Sequence, residues 1–273
     1  MICMRIGSHL VQISGSTALL TGASGGLGEA IARGLHARGA RLVLSGRDAE
    51  RLAALAQALD ARVVVADLAL REDVHRLARE AGEPDIVIAN AALPGAARLE
   101  ALSERELDRV LDVNLRAPIV MTHALLGDML ARRRGHFVYV SSIGAKAAAP
   151  GNPLYHASKF GLRGFAAAMR VDLHGSGVSA SCVMPGFIRD AGLYAESGAS
   201  LPPGVGTRSP QDVADAVARA IERDVAEIEV SPLSLRLGAL LSSAAPDLAA
   251  ALGRRLGSEQ IANAYERSMR AKR

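Results

Sequence analysis

Four glycines fall within seven residues in Thr21-Gly22-Ala23-Ser24-Gly25-Gly26-Leu27-Gly28, between a short apolar run, Thr17–Thr21, and an amphipathic stretch, Leu27–Arg38. No other part of the sequence narrows the fold so sharply. Glycines at such a junction let the chain turn tightly and let its backbone come close to a pyrophosphate. The helix that follows offers free N–H groups and the positive end of its dipole. Strand, glycine-rich turn and helix in this order make the phosphate cradle of a first βα unit.

The rest of the chain keeps the alternation. Arg41–Ser45, Arg62–Ala66, Asp85–Ala89, His136–Ser141, Val178–Met184 and Glu227–Val230 read as strands, and Ala49–Leu59 and Arg71–Ala81 as helices. These strands are continuous Val/Ile/Leu/Ala runs, which predicts strands buried on both faces. The expected fold class is therefore α/β: a doubly wound parallel sheet with helices on both faces (a Rossmann fold) in a single domain. The predicted organisation is an N-terminal extension over 1–15 and a catalytic domain over 16–230. A helical tail over 231–273 packs on that domain. Within the domain, 187–208 is rich in Gly and Pro and reads as a substrate lid. Ser209-Pro210-Gln211-Asp212 then restarts a helix, with serine as cap and an acid three residues on.

Composition excludes several classes. The 273 residues carry a net charge of +4, but the basic residues form only a short cluster, Arg132–Arg134, and a tail from Arg267 to Arg273. No concentrated basic face is expected, hence no nucleic-acid partner. Two cysteines, Cys3 and Cys182, provide neither a disulfide framework nor metal-ligand spacing, and no metal is expected. No apolar stretch is long enough for a membrane span, although the apolar, Arg-studded tail Leu233–Leu256 leaves a peripheral membrane contact open. A cytoplasmic location is expected.

The sharpest chemical signal is Tyr155-His156-Ala157-Ser158-Lys159. Residues four apart share a helix face, so Tyr155 and Lys159 project together. A free phenol, with a pKa of about 10, is a poor proton donor or acceptor near neutrality. A neighbouring ammonium favours the phenolate, and Tyr155 then serves as general acid for reduction and general base for oxidation. His156, one position along, points elsewhere. At the second strand, Leu44-Ser45-Gly46-Arg47 carries Gly46 where an acid would bind the ribose diol of NAD. The Arg47 guanidinium is suited to a 2′-phosphate, so NADP(H) is favoured over NAD(H).

With its T-G-x-x-x-G-x-G turn and Y-x-x-x-K pair, the chain resembles the short-chain dehydrogenase/reductase family in its short single-domain form, over about residues 16–230. The resemblance implies a catalytic set of Asn114, Ser142, Tyr155 and Lys159. Ser142 binds the substrate oxygen, and Asn114 supports a water path to Lys159. Ser141 is the adjacent candidate, but spacing favours Ser142. The cofactor-binding residues implied are Gly22, Ser24, Gly25, Gly26, Leu27, Gly28, Arg47, Asp67, Leu68, Asn90, Ala91, Tyr155, Lys159, Pro185, Gly186 and Ile188. Two departures stand out. Ala89 and Ala92 flank Asn90-Ala91 where the family has N-N-A-G, and Asp190 replaces the threonine that anchors the carboxamide.

The expected function is interconversion of a carbonyl and an alcohol by hydride transfer from NADPH, on a small or lipophilic carbonyl substrate contacted by Leu193, Tyr194, Leu201 and Val205 of the lid. Two rivals are an NADP(H) sensor without turnover and a sugar-nucleotide epimerase or dehydratase. The second has a larger C-terminal substrate domain than the segment after Val230 provides, and the first commonly loses the Tyr or Lys kept here. Relatives of this form pair as homodimers or homotetramers, which is the expected assembly.

Overall fold

The continuous apolar runs become seven parallel strands in one sheet, ordered β3-β2-β1-β4-β5-β6-β7. They are β1 Thr17–Thr21, β2 Arg41–Gly46, β3 Arg62–Val65, β4 Ile86–Ala89, β5 Gly135–Val140, β6 Val178–Pro185 and β7 Glu227–Val230. The computed structural model describes residues 11–95, 97–197 and 206–255. Helices α1 Gly26–His36, α2 Ala49–Leu59, α3 Arg71–Ala81, α4 Glu104–Leu111, α5 Ala117–Arg132, α6 Pro153–Asp172, α7 Gly192–Ser197 and α8 Pro210–Glu222 are distributed along the chain between the strands. Two more, α9 Leu233–Ala244 and α10 Pro246–Arg255, follow β7. The fold is the doubly wound α/β fold read from the sequence.

Alternation along each strand sends successive side chains to opposite faces, so the sheet supports two cores. Leu20, Leu44 and Val138 pack with Ile31 of α1 and Val217 of α8, while Leu19, Val87 and Phe137 pack with Leu77 of α3, Met121 of α5 and Leu162 of α6. Each such side chain contributes roughly 1.5–3 kcal/mol through removal from water. The edge strand β3 departs from the expectation of strands buried on both faces. Its Val63 and Val65 are exposed at the margin of the sheet.

The region between Asn90 and Arg134 yielded no element from the sequence, yet it holds α4 and α5. Helix α4 begins with a capping box, Ser103 and Glu106 each bonding the other's backbone N–H. The S-x-x-E spacing that announces it was available in the sequence. A five-residue π turn, Asp112–Arg116, joins α4 to α5 without a break, with Arg116 bonded to Asp112. Helix α8 starts as expected, Ser209 and Asp212 forming the box with Pro210 in the first turn. The Arg132–Arg134 run is not a free basic patch: Arg132 pairs with Glu83, Arg134 with Asp85, and Arg133 donates to the Gly175 carbonyl.

Candidate active site

The strand order reverses between β1 and β4, and a cleft of about 730 Å³ opens at the carboxyl ends of these strands. This is where doubly wound sheets bind ligands. The cleft is lined by every residue of the sequence-derived site set except Asn114. Residues as distant in sequence as Gly22, Arg47, Asn90, Ser142, Tyr155 and Pro185 thus share one concavity.

At one end lies the glycine turn. Gly22 has φ +67°, a left-handed conformation, and a Cβ there would stand 2.8 Å from Ala91 Cα. The turn is pinned from β4: Asn90 Nδ2 donates to the carbonyls of Thr21 and Gly22 at 3.0 and 3.3 Å. The Thr21 hydroxyl in turn accepts from the N–H groups of Asn90 and Ala91. Asn90 therefore spends its side chain holding the turn. Thr21, which precedes the first glycine of the motif, was not picked out from the sequence. Helix α1 begins after Gly25 with no side chain capping its N-terminus, and a Cβ at Gly25 would meet only the Gly22 carbonyl oxygen, at 3.5 Å. That position is open toward the cleft, and an uncapped helix terminus is an anion site in waiting.

Beside it, Gly46 closes β2. A Cβ at Gly46 would stand 2.9 Å from Ser24 Oγ, so a carboxylate side chain does not fit without displacing Ser24. Arg47 is exposed and has no ion pair or side-chain hydrogen bond among the described residues. Its neighbour Asp48 is occupied, capping α2 through Arg51 N at 3.0 Å and pairing with the Arg51 guanidinium. Asp67 lines the cleft but also accepts from Ala69 N and pairs with Arg109 of α4 at 3.1 Å, so it serves the local turn as well. An open glycine turn, a free helix terminus and an unpartnered guanidinium together fit the pyrophosphate and 2′-phosphate of a dinucleotide.

The reactive groups gather at the end of β5 and the start of α6. Ser142 faces the cleft, accepts from Gly144 N at 3.0 Å and hydrogen-bonds Tyr155. Ser141 is turned inward, its hydroxyl donating to the Lys159 carbonyl at 3.0 Å. Strand alternation thus separates the two serines, in favour of Ser142. Lys159 is buried, its Nζ 3.0 Å from the Val140 carbonyl and 5.7 Å from the Tyr155 ring centroid. His156 accepts from Ala149 N through Nε2 while Nδ1 meets the Gly144 carbonyl, so the neutral ring clamps a loop.

One expectation about electrostatics is corrected. The sequence reading has the Lys159 ammonium lowering the Tyr155 pKa. In the structure burial is the larger influence and pushes the phenol above its ordinary value, with the Ser142 hydrogen bond acting downward. The ammonium is itself desolvated, its pKa brought down to about 8, and is directed at a carbonyl. Asn114 makes its hydrogen bonds to groups other than Lys159. It is buried in the π turn, its amide bonding both the N–H and carbonyl of Leu93, at 2.7 and 2.9 Å, and Ser158 Oγ at 3.1 Å. It ties the strand leaving β4 to α6.

A buried lysine with a lowered pKa has a testable cost. Below pH 8 the ammonium is charged in both folded and unfolded chains, and the burial penalty is present in full. Between about 8 and 10.5 the unfolded state binds more protons than the folded one, so stability rises with pH. Lys159→Met removes that penalty but strands the Val140 carbonyl, which costs about 1 kcal/mol. Urea unfolding at pH 7 should find the variant more stable by about 2 kcal/mol. The advantage should shrink toward pH 10. A destabilised variant at pH 7 would refute the burial argument.

At the far end, Pro185, Gly186 and Ile188 line the cleft as expected. Asp190 does not: it has φ +67°, its side chain is 76% exposed, and it lies near Arg189. Phe187 and Arg208 are joined through the backbone, Arg208 N donating to Phe187 O and Arg189 N to Arg208 O, both at 2.9 Å. Leu193 and Tyr194 line the cleft, and Tyr194 packs edge-on against Phe187. Leu201 and Val205 lie outside the described residues, as do Cys3 and the tail beyond residue 255. Cys182, inside β6, is buried with its thiol pushed up to about 12, an inert core residue. The sequence reading missed two contributors, the Ile143–Ala149 segment and α9, neither of which carries a motif.

A doubly wound sheet with a glycine-rich turn at its switch point and a Ser–Tyr–Lys group in the same cleft is the arrangement of a nicotinamide-dependent oxidoreductase class. Comparison with known proteins agrees: the family model "short chain dehydrogenase" matches residues 16–200, and the chain belongs to that family. It is similar to a 3-oxoacyl-[acyl-carrier-protein] reductase of Rickettsia prowazekii (strain Madrid E), 33% identical over 182 residues, covering 66% of this chain and 76% of that one. Nodulation protein G of Rhizobium sp. (strain N33) is 37% identical over 188 residues, 67% and 77% of the two chains. Among solved structures, a metagenomic short-chain oxidoreductase in complex with NADP superposes with a TM-score of 0.68 at 30% identity, covering 81% of this chain and 97% of the other. No described helix is long and apolar enough to cross a membrane.

Proposed function

We propose that this protein is an NADPH-dependent reductase of ketones or aldehydes, working reversibly, with Tyr155 as the proton donor. The observation that carries the reading is the convergence of Ser142, Tyr155 and Lys159 in the same cleft as the glycine turn and the partnerless Arg47. The cofactor, when bound, supplies the hydride. Ser142 and Tyr155 hold the carbonyl oxygen as it gains charge, and Tyr155 gives up its proton to it. With its pKa held up by burial, Tyr155 is fully protonated near neutrality, the form that reduction needs. Lys159 contributes a positive charge beneath the phenol, and Asn114 acts as a positioning residue through Leu93 and Ser158. The glycine set from Gly22 to Gly28 with Ser24 and Leu27, then Asp67, Leu68, Asn90, Ala91, Pro185, Gly186 and Ile188, forms the cofactor groove. A cytoplasmic homodimer or homotetramer is the matching assembly, and Phe160 and Val171, exposed on α6, supply apolar surface for it.

The cofactor preference rests on Arg47. In Arg47→Ala, NADPH affinity measured by fluorescence titration should fall about 10–100-fold, the loss expected for one charge-assisted contact to a phosphate. NADH affinity should stay within about twofold of wild type. Wild-type oxidation of both cofactors against a panel of aldehydes, ketones and quinones tests the reaction itself. Preference for NADH would overturn the assignment of Arg47, and NADPH binding without turnover on any carbonyl would overturn the reductase.

A further inference from the structure

We infer that α9 is a wall of the substrate pocket, and that Gly238 keeps the pocket wide enough for an uncharged ketone bearing a bulky apolar group. The inference rests on the proposed reductase reading for the identity of the reacting group, and concerns a helix that lies beyond the segment matched by the family model.

Three observations converge. First, α9 is held in place at both ends. Near its start a Cβ on Gly186 would stand 3.5 Å from Leu235 Cδ1 and 2.8 Å from Ser231 Cβ, so the Pro185-Gly186 turn and α9 lie against each other. Arg236 pairs with Glu229 of β7 at 2.9 Å, and near the helix end Ser243 Oγ donates to the Lys146 carbonyl at 3.1 Å. Lys146 is itself locked between Glu227 and Glu229.

Second, one stripe of the helix, Leu235, Gly238 and Ala239, lines the cleft. Glycine is the poorest helix former after proline, so an interior glycine calls for a reason. Packing does not supply one, because a Cβ at Gly238 would meet nothing within 4 Å. Gly161 inside α6 is explained by Leu115, 3.0 Å from its would-be Cβ; Gly127 in α5 and Gly164 in α6 are as open as Gly238, but of these three open positions only Gly238 lines the cleft. What the missing side chain at Gly238 leaves is room in the cleft.

Third, the charged groups along the cleft are all accounted for. Arg47, Asp48 and Asp67 stand at the β2 and β3 ends, where the cofactor groove lies. Lys159 is turned onto Val140 O, and His156 is a neutral clamp. Among the described residues no cation is left at the α9 end to receive a carboxylate or phosphate on the substrate, whereas Leu193, Tyr194 and Leu235 offer apolar contact. The site therefore suits an uncharged substrate whose ketone is flanked by a ring system or an alkyl chain.

Gly238→Leu tests this without weakening the helix, since leucine is a strong helix former. Binding of decanone, tetralone and butanone to the protein with NADP⁺ would be measured by calorimetry, and turnover with NADPH separately. In wild type, decanone and tetralone should bind and react better than butanone. In the variant their affinity and kcat/KM should fall about 100-fold, since each methylene-sized mismatch in a pocket costs about tenfold or more. Butanone should lose much less than either bulky ketone, and NADPH affinity should stay within about twofold. Equal losses for all three ketones, no loss for any, or failure of wild type to bind the bulky pair would each overturn the assignment of α9. Bulky ketones that bind wild type, are expelled by the variant and are never reduced would leave the pocket standing and remove the reductase.

Discussion

Tyr155→Phe is expected to lower kcat for carbonyl reduction by about 10³-fold, the usual range for removal of a positioned general acid, while NADPH affinity changes little. The phenol's oxygen is the only part removed, and the ring keeps its place beside Ser142 and over Lys159. The remaining groups still bind cofactor and orient the carbonyl, so KM should move much less than kcat. Measuring both constants with a ketone that wild type reduces, and NADPH affinity by fluorescence, distinguishes this from a folding defect. If the variant kept a tenth or more of wild-type kcat, the proton would have to come from elsewhere. His156 is no substitute: burial lowers its pKa, and both ring nitrogens are engaged by backbone.

The second large effect is expected at the glycine turn, where two neighbouring substitutions should behave differently. A Cβ at Gly28 would collide with the Gly22 carbonyl oxygen and stand 2.7 Å from Ala23 Cα, both backbone atoms that cannot rotate away. Gly28→Ala should therefore pry the turn open, cost about 2–3 kcal/mol of stability by overpacking, and abolish NADPH binding. At Gly25 the added carbon has only one neighbour, at ordinary contact distance, and projects where the cofactor groove is open. Gly25→Ala should keep wild-type stability yet weaken NADPH by about tenfold or more, since a methyl group keeps the pyrophosphate from the helix terminus. Urea midpoints and fluorescence titrations on the pair read stability and affinity independently. Equal stability for the two variants would mean that the turn relaxes more readily than its contacts allow.

Both experiments concern residues legible in the sequence alone, for a common reason: the patterns that mark them are local. The glycine turn, the capping box of α8 and the four-residue spacing of Tyr155 and Lys159 depend on neighbours along the chain, so short-range rules reach them. Arg47 follows from its position at a strand end in the same way. Less accessible was what each side chain does with its second partner. Asn90 and Asn114 were singled out, but their bonds run to the backbone of Thr21, Gly22 and Leu93, far away in sequence. Lys159 was assigned an effect on Tyr155 that depends on burial, a property of the assembled core.

The amino-acid sequence alone determined the α/β architecture and singled out the glycine-rich turn and the side chains proposed to react, because apolar periodicity and turn chemistry are written in consecutive residues. The tertiary structure decided that the Ser141 hydroxyl is spent on the Lys159 carbonyl while Ser142 is not, that Asp190 turns to solvent, and that α9 lines the cleft beside Gly186. Those outcomes depend on strand alternation relative to a covered face, on a left-handed backbone at one residue, and on helix docking across dozens of positions. No local pattern encodes them, because their energies arise only when distant segments come into contact.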